Sequence, residues 1–293
     1  MNKNNILLIF GFGYTAKFLC QNFSKKNWQV FCTTRFDEKT KEIKSLNATP
    51  IFFDDKEKIE SILNKDSYIL STIPPDKGKD PVIENYRCLF KNKCERIKWV
   101  GYLSTTSVYG DKKGKWVTED TVLEPNLERS ISRVAAEKSW LKLGEKLSIK
   151  TMIFRLAGIY GPGRSLIDRL IENERVFIVN KPAHLFNRIH VEDIAGTIEM
   201  AISSQSKFKV FNLSDDLPAT QLQVAQFAAS LLKKSCPQTV SLESDVVSEM
   251  ARSFYKEEKK VSNKRLKDEL GYKLAFPSFK EGLSAIHKSS KEF

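Results

Sequence analysis

Residues 6–16 read Ile6-Leu7-Leu8-Ile9-Phe10-Gly11-Phe12-Gly13-Tyr14-Thr15-Ala16. The first five form a continuous apolar run, as a parallel strand buried on both faces requires. A Gly-x-Gly-x-x-Ala turn follows, and each small residue in it has a mechanical task. Gly11 permits the tight turn, Gly13 lets the backbone approach a pyrophosphate, and Ala16 lets the next helix pack closely on the strand. The pyrophosphate would sit on the amides and positive end of that helix, with Tyr14 and Thr15 in its first turn. Downstream, Ala16, Phe18, Leu19, Phe23 and Trp28 supply a helix face and the start of a second strand. An ordinary strand–turn–helix without a ligand is the competing reading, and the surrounding pattern weighs against it.

Working outward, helical and strand patterns alternate, which predicts an α/β fold with a mostly parallel sheet. Further strands are expected over 28–34, 49–53, 67–73, 99–104 and 150–155, with a helix over about 128–146. The chain then changes character. Gly158-Ile159-Tyr160-Gly161-Pro162-Gly163-Arg164 reads as a loop, since Pro and Gly mark irregular backbone. Helices near 165–174 and 191–203, a strand at 210–213, and tail helices near 220–234, 262–270 and 278–288 complete the pattern. The expected architecture is a Rossmann-type doubly wound parallel sheet with a smaller C-terminal substrate lobe capping the sheet's carboxyl edge. Residues 1–160, completed by about 188–214, form the dinucleotide-binding domain, and 161–187 with 215–293 form the lobe.

The 293 residues are 41% hydrophobic and 29% charged, ordinary for a soluble globular protein. No apolar run approaches the roughly 20 residues of a membrane span. The first strand follows Met1-Asn2-Lys3-Asn4-Asn5 at once, so no signal peptide is expected. Cys20, Cys32, Cys88, Cys94 and Cys236 form no CxxC pair and read as reduced thiols of a cytoplasmic protein. The three histidines and five cysteines lack metal-ligand spacing, so no metal is expected. The net charge of +12 suits attraction of an anionic ligand; a solvated lysine-rich surface is the plainer account. No nucleic-acid-binding motif accompanies that charge.

Five segments, together with the tail, carry a resemblance to a known family. They are GFGYTA (11–16), LSTTSVYG (103–110), FRLAGIYGPGR (154–164), NRIHVEDIAGTIEMAI (187–202) and FNLSDDLP (211–218), with VSNKRLKDELGY (261–272) and FPSFKEGL (276–283) closing the chain. The sequence resembles the extended short-chain dehydrogenase/reductases, the NAD(P)-dependent epimerase/dehydratase group, over nearly its full length. STIPP (71–75) and AAEKSW (135–140) place it toward an atypical branch. The resemblance implies a bound nicotinamide dinucleotide and a substrate pocket under the C-terminal lobe. Many relatives act on nucleotide-activated sugars, and relatives often dimerise through the helix that here spans about 128–146.

In NAD-selective folds an acid about 20 residues past the glycine turn bonds the adenosine ribose hydroxyls. Here the second strand ends Thr33-Thr34-Arg35, with Asp37 two residues further on. An Arg there would form charge-assisted bonds with a 2′-phosphate, so NADP is favoured over NAD. Alternatively, Arg35 simply points into solvent. Asp54 matches the family's position near the adenine, or is a plain loop acid. Thr72, just past the fourth strand, is a further cofactor-binding candidate.

The family's chemistry passes hydride between substrate carbon and nicotinamide while a Tyr moves the proton and a Lys four residues later lowers that phenol's pKa. A free phenol titrates near 10 and is a poor base at neutral pH. The Ser/Thr that binds the substrate oxygen falls on Thr105, with Ser104 and Thr106 beside it. Anchoring on Glu137 places Arg129 at the Tyr position and Arg133 at the Lys position. Arg stays protonated at physiological pH and cannot shuttle a proton. Two guanidiniums on one helix face would suit an anionic substrate; a solvated basic face is the alternative. Tyr109, Tyr160 and His190 are the remaining groups that would move a proton, though in relatives they are usually structural. The expected function is an NAD(P)-binding oxidoreductase, epimerase or dehydratase acting on an anionic, nucleotide-sugar-like substrate. The alternative is a non-catalytic NADP-binding sensor or structural module.

Overall fold

The computed structural model describes residues 5–172 and 174–291. They divide into two compact units. The first takes the described residues up to Val108, together with Leu127–Arg155 and Ile194–Phe211. The second takes Tyr109–Asn126, Leu156–Asp193 and the described residues from Asn212 onward.

The chain opens with β1 (Ile6–Phe10), α1 (Tyr14–Lys25), β2 (Gln29–Thr34), α2 (Glu38–Ser45) and β3 (Thr49–Phe52). It continues with α3 (Lys56–Leu63), β4 (Ser67–Ser71), α4 (Pro81–Asn92) and β5 (Ile97–Thr105). After β6 (Trp116–Val117) come α5 (Glu128–Leu147), β7 (Thr151–Leu156), β8 (Gly158–Tyr160), α6 (Leu166–Ile171), β9 (Phe177–Val179) and β10 (Arg188–His190). Then follow α7 (Val191–Ser203), β11 (Val210–Leu213), α8 (Gln221–Leu232), β12 (Gln238–Val240), α9 (Glu249–Phe254), β13 (Lys260–Val261), α10 (Lys264–Leu270) and α11 (Phe279–Ser289).

A seven-stranded sheet in the order β11-β7-β5-β4-β1-β2-β3 carries the first unit. β1 pairs in parallel with β2 from Ile6↔Gln29 and with β4 from Ile6↔Ser67 to Phe10↔Ser71. The chain therefore steps outward from β1 to β3, then returns across β1 to lay down β4 and β5. That reversal makes a switch point between β1 and β4, and ligands of open α/β sheets bind at such a point beyond the carboxyl ends of the strands. β1 is wholly buried, as its unbroken apolar run requires. Thr15, Ala16, Leu19, Cys20 and Phe23 form the buried face of α1.

Two other helices show how the first unit is fastened. Asp80 caps α4, accepting from the amides of Val82 and Ile83, and Pro81 occupies the first helical turn. The other Asp80 oxygen accepts from Trp140 Nε1 of α5 at 2.9 Å. Along α5 the buried residues are Ser130, Ser132, Ala136, Glu137, Trp140 and Gly144, so a polar stripe faces inward. Each polar member has a partner, as burial demands.

The second unit contains three two-stranded parallel pairs: β8 with β10, β9 with β12, and β6 with β13. Its core gathers Tyr160, Ile167, Leu170, Val224, Phe279 and Leu283 from β8, α6, α8 and α11. Capping boxes start α6 (Ser165, Asp168) and α8 (Thr220, Gln223). A Cβ on Gly282 would lie 2.1 Å from Tyr160 Oη, so α11 seats only with glycine there.

The division differs from the one expected from sequence. Residues 109–126 and 156–160 cluster with the second unit. The reason is hydrogen bonding: Lys112 and Gly114 amides donate to Glu258 O, β6 pairs with β13, and β8 pairs with β10. These two- and three-residue strands are too short to show a period in the sequence.

Candidate active site

The candidate cofactor residues of the first unit stand just past the carboxyl ends of successive strands: Gly11 after β1, Arg35 after β2, Asp54 after β3 and Thr72 after β4. Gly11 has φ +98°, and a Cβ on it would meet Ile73 Cγ1 at 2.8 Å and Thr72 Oγ1 at 2.9 Å. Only glycine fits that backbone and that space. Its amide donates to Thr33 Oγ1 at 2.9 Å, and Thr72 Oγ1 donates to the carbonyls of Phe10 and Gly11, both at 3.1 Å. Thr72 thus grips the turn. Thr33, buried and absent from the sequence-based candidates, does the same from the other side; only its place at the end of β2 could have hinted at it.

Gly13 is the N-cap of α1, is exposed, and a Cβ on it would meet nothing within 4 Å. The first turn of α1 carries no acidic residue, so its positive end keeps its full attraction for an anion. Ala16 and Thr15 are buried against the sheet, and Tyr14 is half-buried with its ring 5.2 Å from that of Phe18. Arg35 is exposed, lies 5.8 Å from the Phe36 ring centroid, and forms no ion pair among the described residues. Asp54 is exposed; its neighbour Asp55 is the residue that caps α3, through the amide of Lys58 at 3.1 Å. These features fit the pyrophosphate of a dinucleotide: an open glycine cradle and a helix end without acids, with a cation at the end of β2.

At the end of β5, Thr105 is half-buried and its Oγ1 accepts from the Ser107 amide at 3.2 Å, which leaves the hydroxyl proton to donate elsewhere. Ser104 is committed: its hydroxyl donates to Glu137 Oε1 at 2.5 Å. Glu137 also accepts from Arg155, at 2.8 Å from Nη2 and 3.2 Å from Nε, with both side chains almost wholly buried. Thr106 is buried. Arg133 Nη1 donates to Leu103 O at 2.8 Å and to Tyr102 Oη at 3.1 Å, and its guanidinium lies 5.6 Å from the Tyr102 ring centroid. Burial raises the Tyr102 phenol well above its ordinary value, with Arg133 opposing the shift. Arg129 sits exposed in the first turn of α5, one turn before Arg133. The expected pair of guanidiniums is therefore divided: Arg133 is tied to the strand end, and Arg129 is at the solvent.

In the second unit, Tyr109 is fully buried and its hydroxyl donates to Asn212 Oδ1 at 2.6 Å. The Asn212 amide in turn donates to Glu119 at 2.8 Å. Tyr160 donates to Ser278 O at 3.2 Å, and burial pushes its phenol up. Both phenols are thus held in the interior by protein acceptors. His190 is buried, packs its ring 3.9 Å from that of Phe276, and is pushed down to about 4 by burial, so it is neutral at physiological pH. Among the described residues no group of three His, Cys, Asp or Glu could hold a metal ion. No described helix is long and apolar enough to cross a membrane.

A cavity of about 760 Å³ opens in the second unit, walled by Leu166, Val176, Ile178, Phe186, Tyr255 and Phe279. Arg188 also lines it.

A parallel sheet with a glycine turn at its switch point defines a dinucleotide-binding α/β protein. Residues 88–214 match the model of the NAD dependent epimerase/dehydratase family. A solved structure of a functionally unknown conserved protein from Silicibacter pomeroyi DSS is similar at 35% identity and TM-score 0.88, over 98% of this chain and 99% of that one. The chain belongs to the NAD dependent epimerase/dehydratase family, the extended short-chain dehydrogenase/reductases. UDP-glucuronic acid 4-epimerase from Bacillus cereus, solved with NAD, is similar at 19% identity and TM-score 0.76, over 98% of this chain and 99% of that one. UDP-glucose 4-epimerase from Thermotoga maritima, solved with UDP-glucose, is similar at 17% identity and TM-score 0.77, with the same coverage of 98% and 99%. At these identities the likeness is one of fold. No curated protein matches the sequence.

Proposed function

We propose that this protein binds NADP through its first unit and acts as an NAD(P)-dependent oxidoreductase, epimerase or dehydratase on a small anionic substrate, nucleotide-sugar-like in class. The observation that carries the reading is Arg35: an exposed guanidinium at the end of β2, without an ion pair among the described residues, where NAD-selective folds present an acid. The turn Gly11–Gly13 and the amides of α1 receive the pyrophosphate, with Thr33 and Thr72 holding the turn in shape. Arg35 takes the 2′-phosphate through paired charge-assisted hydrogen bonds, and Asp54 serves the adenosine end. When bound, the nicotinamide supplies hydride exchange with a substrate carbon. Thr105 donates its free hydroxyl proton to the substrate oxygen, and Arg129 offers positive charge to the substrate's anionic group. Free cysteines, two of them exposed, suit a reducing cytoplasmic compartment.

The second reading, a cofactor-binding sensor without turnover, is favoured by one specific observation. The phenols of Tyr109 and Tyr160 are both buried on protein acceptors, and counting back from Glu137 in the sequence assigns Arg129 and Arg133 to the family's Tyr and Lys positions.

Titration with NADPH and NADH, followed by nicotinamide fluorescence, tests the common ground. NADPH is expected to bind more tightly than NADH, and Arg35→Asp to weaken NADPH by about 10–100-fold, the worth of a charge-assisted contact plus the new repulsion. Equal affinity for both cofactors, unchanged in the variant, would remove NADP from the reading. Binding of neither would remove the cofactor altogether.

A further inference from the structure

His184 is an imidazole of the second unit, only 2% exposed, and neither of its ring nitrogens has a hydrogen-bond partner among the described residues. A neutral imidazole carries one donor and one acceptor, and leaving both unmade in the interior is costly. In place of partners His184 has a cage. Its ring centroid lies 4.7 Å from that of Phe186 and 5.1 Å from that of Tyr255, and those two rings meet edge to face at 5.1 Å.

The cage fastens a segment with little else to hold it. Between β12 and β13, residues 241–256 carry α9, which has no buried residue of its own. The buried side chains of the segment are Val247 and Tyr255, which join Val179 and Phe186 in a small cluster apart from the main core of this unit. The Arg252 guanidinium bonds within the segment, to the carbonyls of Leu242, Glu243 and Ser244. Lys181 Nζ donates to Tyr255 O at 3.0 Å. Both roots are firmer: the Asn180 amide donates to Val240 O at 2.8 Å, and the Glu258 amide donates to Asp111 Oδ1 at 2.8 Å. A stretch with few buried apolar contacts between two hydrogen-bonded roots has the make-up of a unit that opens locally.

The charges around the ring decide what a proton does there. Burial holds the imidazole below its ordinary value, and Lys181 and Lys259 push the same way, while Glu258 and the Phe254 main chain oppose them. Lys259 is itself paired with Glu257 at 2.9 Å. Cations also face the cage rings: Lys181 Nζ lies 6.0 Å from the Tyr255 centroid, and the Arg188 guanidinium lies 6.0 Å from that of Phe186. The attraction of those rings for a cation is therefore already engaged. We propose that His184 is the pin of an acid-opened flap: neutral, it fills the cage and seats residues 241–256, and on taking a proton it leaves the cage for solvent and the flap opens. Ala251, Phe254 and Tyr255 also wall the cavity described above, so opening removes one side of it. The device is independent of the cofactor reading.

Hydrogen–deuterium exchange of the whole protein, read by mass spectrometry at about pH 7.5 and about pH 5.5 and corrected for intrinsic exchange, tests it. The open flap takes a proton at the ordinary 6.5 and the closed flap only below it, so the closed state is fully favoured above 6.5 and loses ground as pH falls. Amides of 247–255 are expected to lose protection severalfold between the two conditions, up to the limit of about tenfold that one proton allows, while β1 and β4 keep theirs. His184→Phe, which keeps a ring in the cage and drops the unmade bonds, is expected to be at least as protected near neutral pH and to lose the pH dependence. His184→Leu serves should the larger ring not fit. Unchanged protection in the parent protein would overturn the proposal, as would a loss that survives both substitutions and so belongs to another group such as His190. A loss spread evenly over flap and sheet would also overturn it, being acid unfolding of the whole chain.

Discussion

Asp215 and His190 are buried titratable groups of the second unit, and they bend the stability profile in opposite directions. The folded Asp215 carboxyl keeps its proton up to about pH 8, against an ordinary value of 3.8. The folded protein therefore holds more protons than the unfolded chain across that window, and stability falls as pH rises through it. His190 works the other way: folded near 4 and ordinarily 6.5, it leaves the unfolded chain holding more protons in between, so stability rises with pH there. Above pH 6.5 the His190 contribution is complete and the Asp215 slope stands alone. Urea unfolding is expected to show a loss of about 1–2 kcal/mol between pH 6.5 and 8, and Asp215→Asn to flatten that limb. A slope unchanged in the variant would assign it to another group. At this same scale lies what the sequence concealed. Nothing in the spelling of Thr33 or Arg188 distinguishes a hydroxyl that grips a turn or a guanidinium sunk beside a cavity; both depend on partners more than twenty residues away.

Among elements, the β1–turn–α1 unit is where pattern and structure agree most closely, because every constraint on it is local. A strand buried on both faces must be apolar throughout, a positive φ needs glycine, and close helix packing needs a small residue, so Ile6–Phe10, Gly11 and Ala16 announce themselves. Gly11→Ala tests the constraint. The new methyl would strain a φ of +98° and press on Thr72 Oγ1 and Ile73. A loss of about 1–3 kcal/mol in denaturant stability is expected, together with weakened NADPH binding as Thr72 is displaced. Full stability and full affinity would mean that the turn relaxes more easily than its packing implies. α5 was equally legible in extent, since the expected helix over 128–146 is observed as Glu128–Leu147. Its chemistry was not. The four-residue spacing of Arg129 and Arg133 gave a shared face, but the pull of the Leu103 carbonyl and the Tyr102 hydroxyl on Arg133 is a tertiary matter that spacing does not encode. The short strand pairs of the second unit lay beyond any periodic reading, and they are what draws residues 109–126 away from the domain to which sequence order assigned them.

At the level of the whole molecule, the net charge of +12 acts at a distance that no single contact covers. A dinucleotide carrying the additional 2′-phosphate should feel it more than one without. Raising ionic strength from about 0.05 to 0.5 M, which shortens the screening length severalfold, is expected to weaken NADPH binding more than NADH binding. Parallel loss for both would confine the charge to a general solvated surface. The seven-stranded sheet order follows from the same logic that made the fold readable: one reversal of direction at β1 puts the glycine turn at the switch point and the candidate ends of β2, β3 and β4 along one edge.

The buried Glu137–Arg155 pair has a consequence for the history of such a chain. Replacing either partner alone strands a charge in the interior at about 3–5 kcal/mol, a large fraction of a domain's whole stability. Replacing both with apolar side chains of similar volume can be nearly neutral. The two codons are thus bound by sign epistasis, with a fitness valley between the paired state and any alternative.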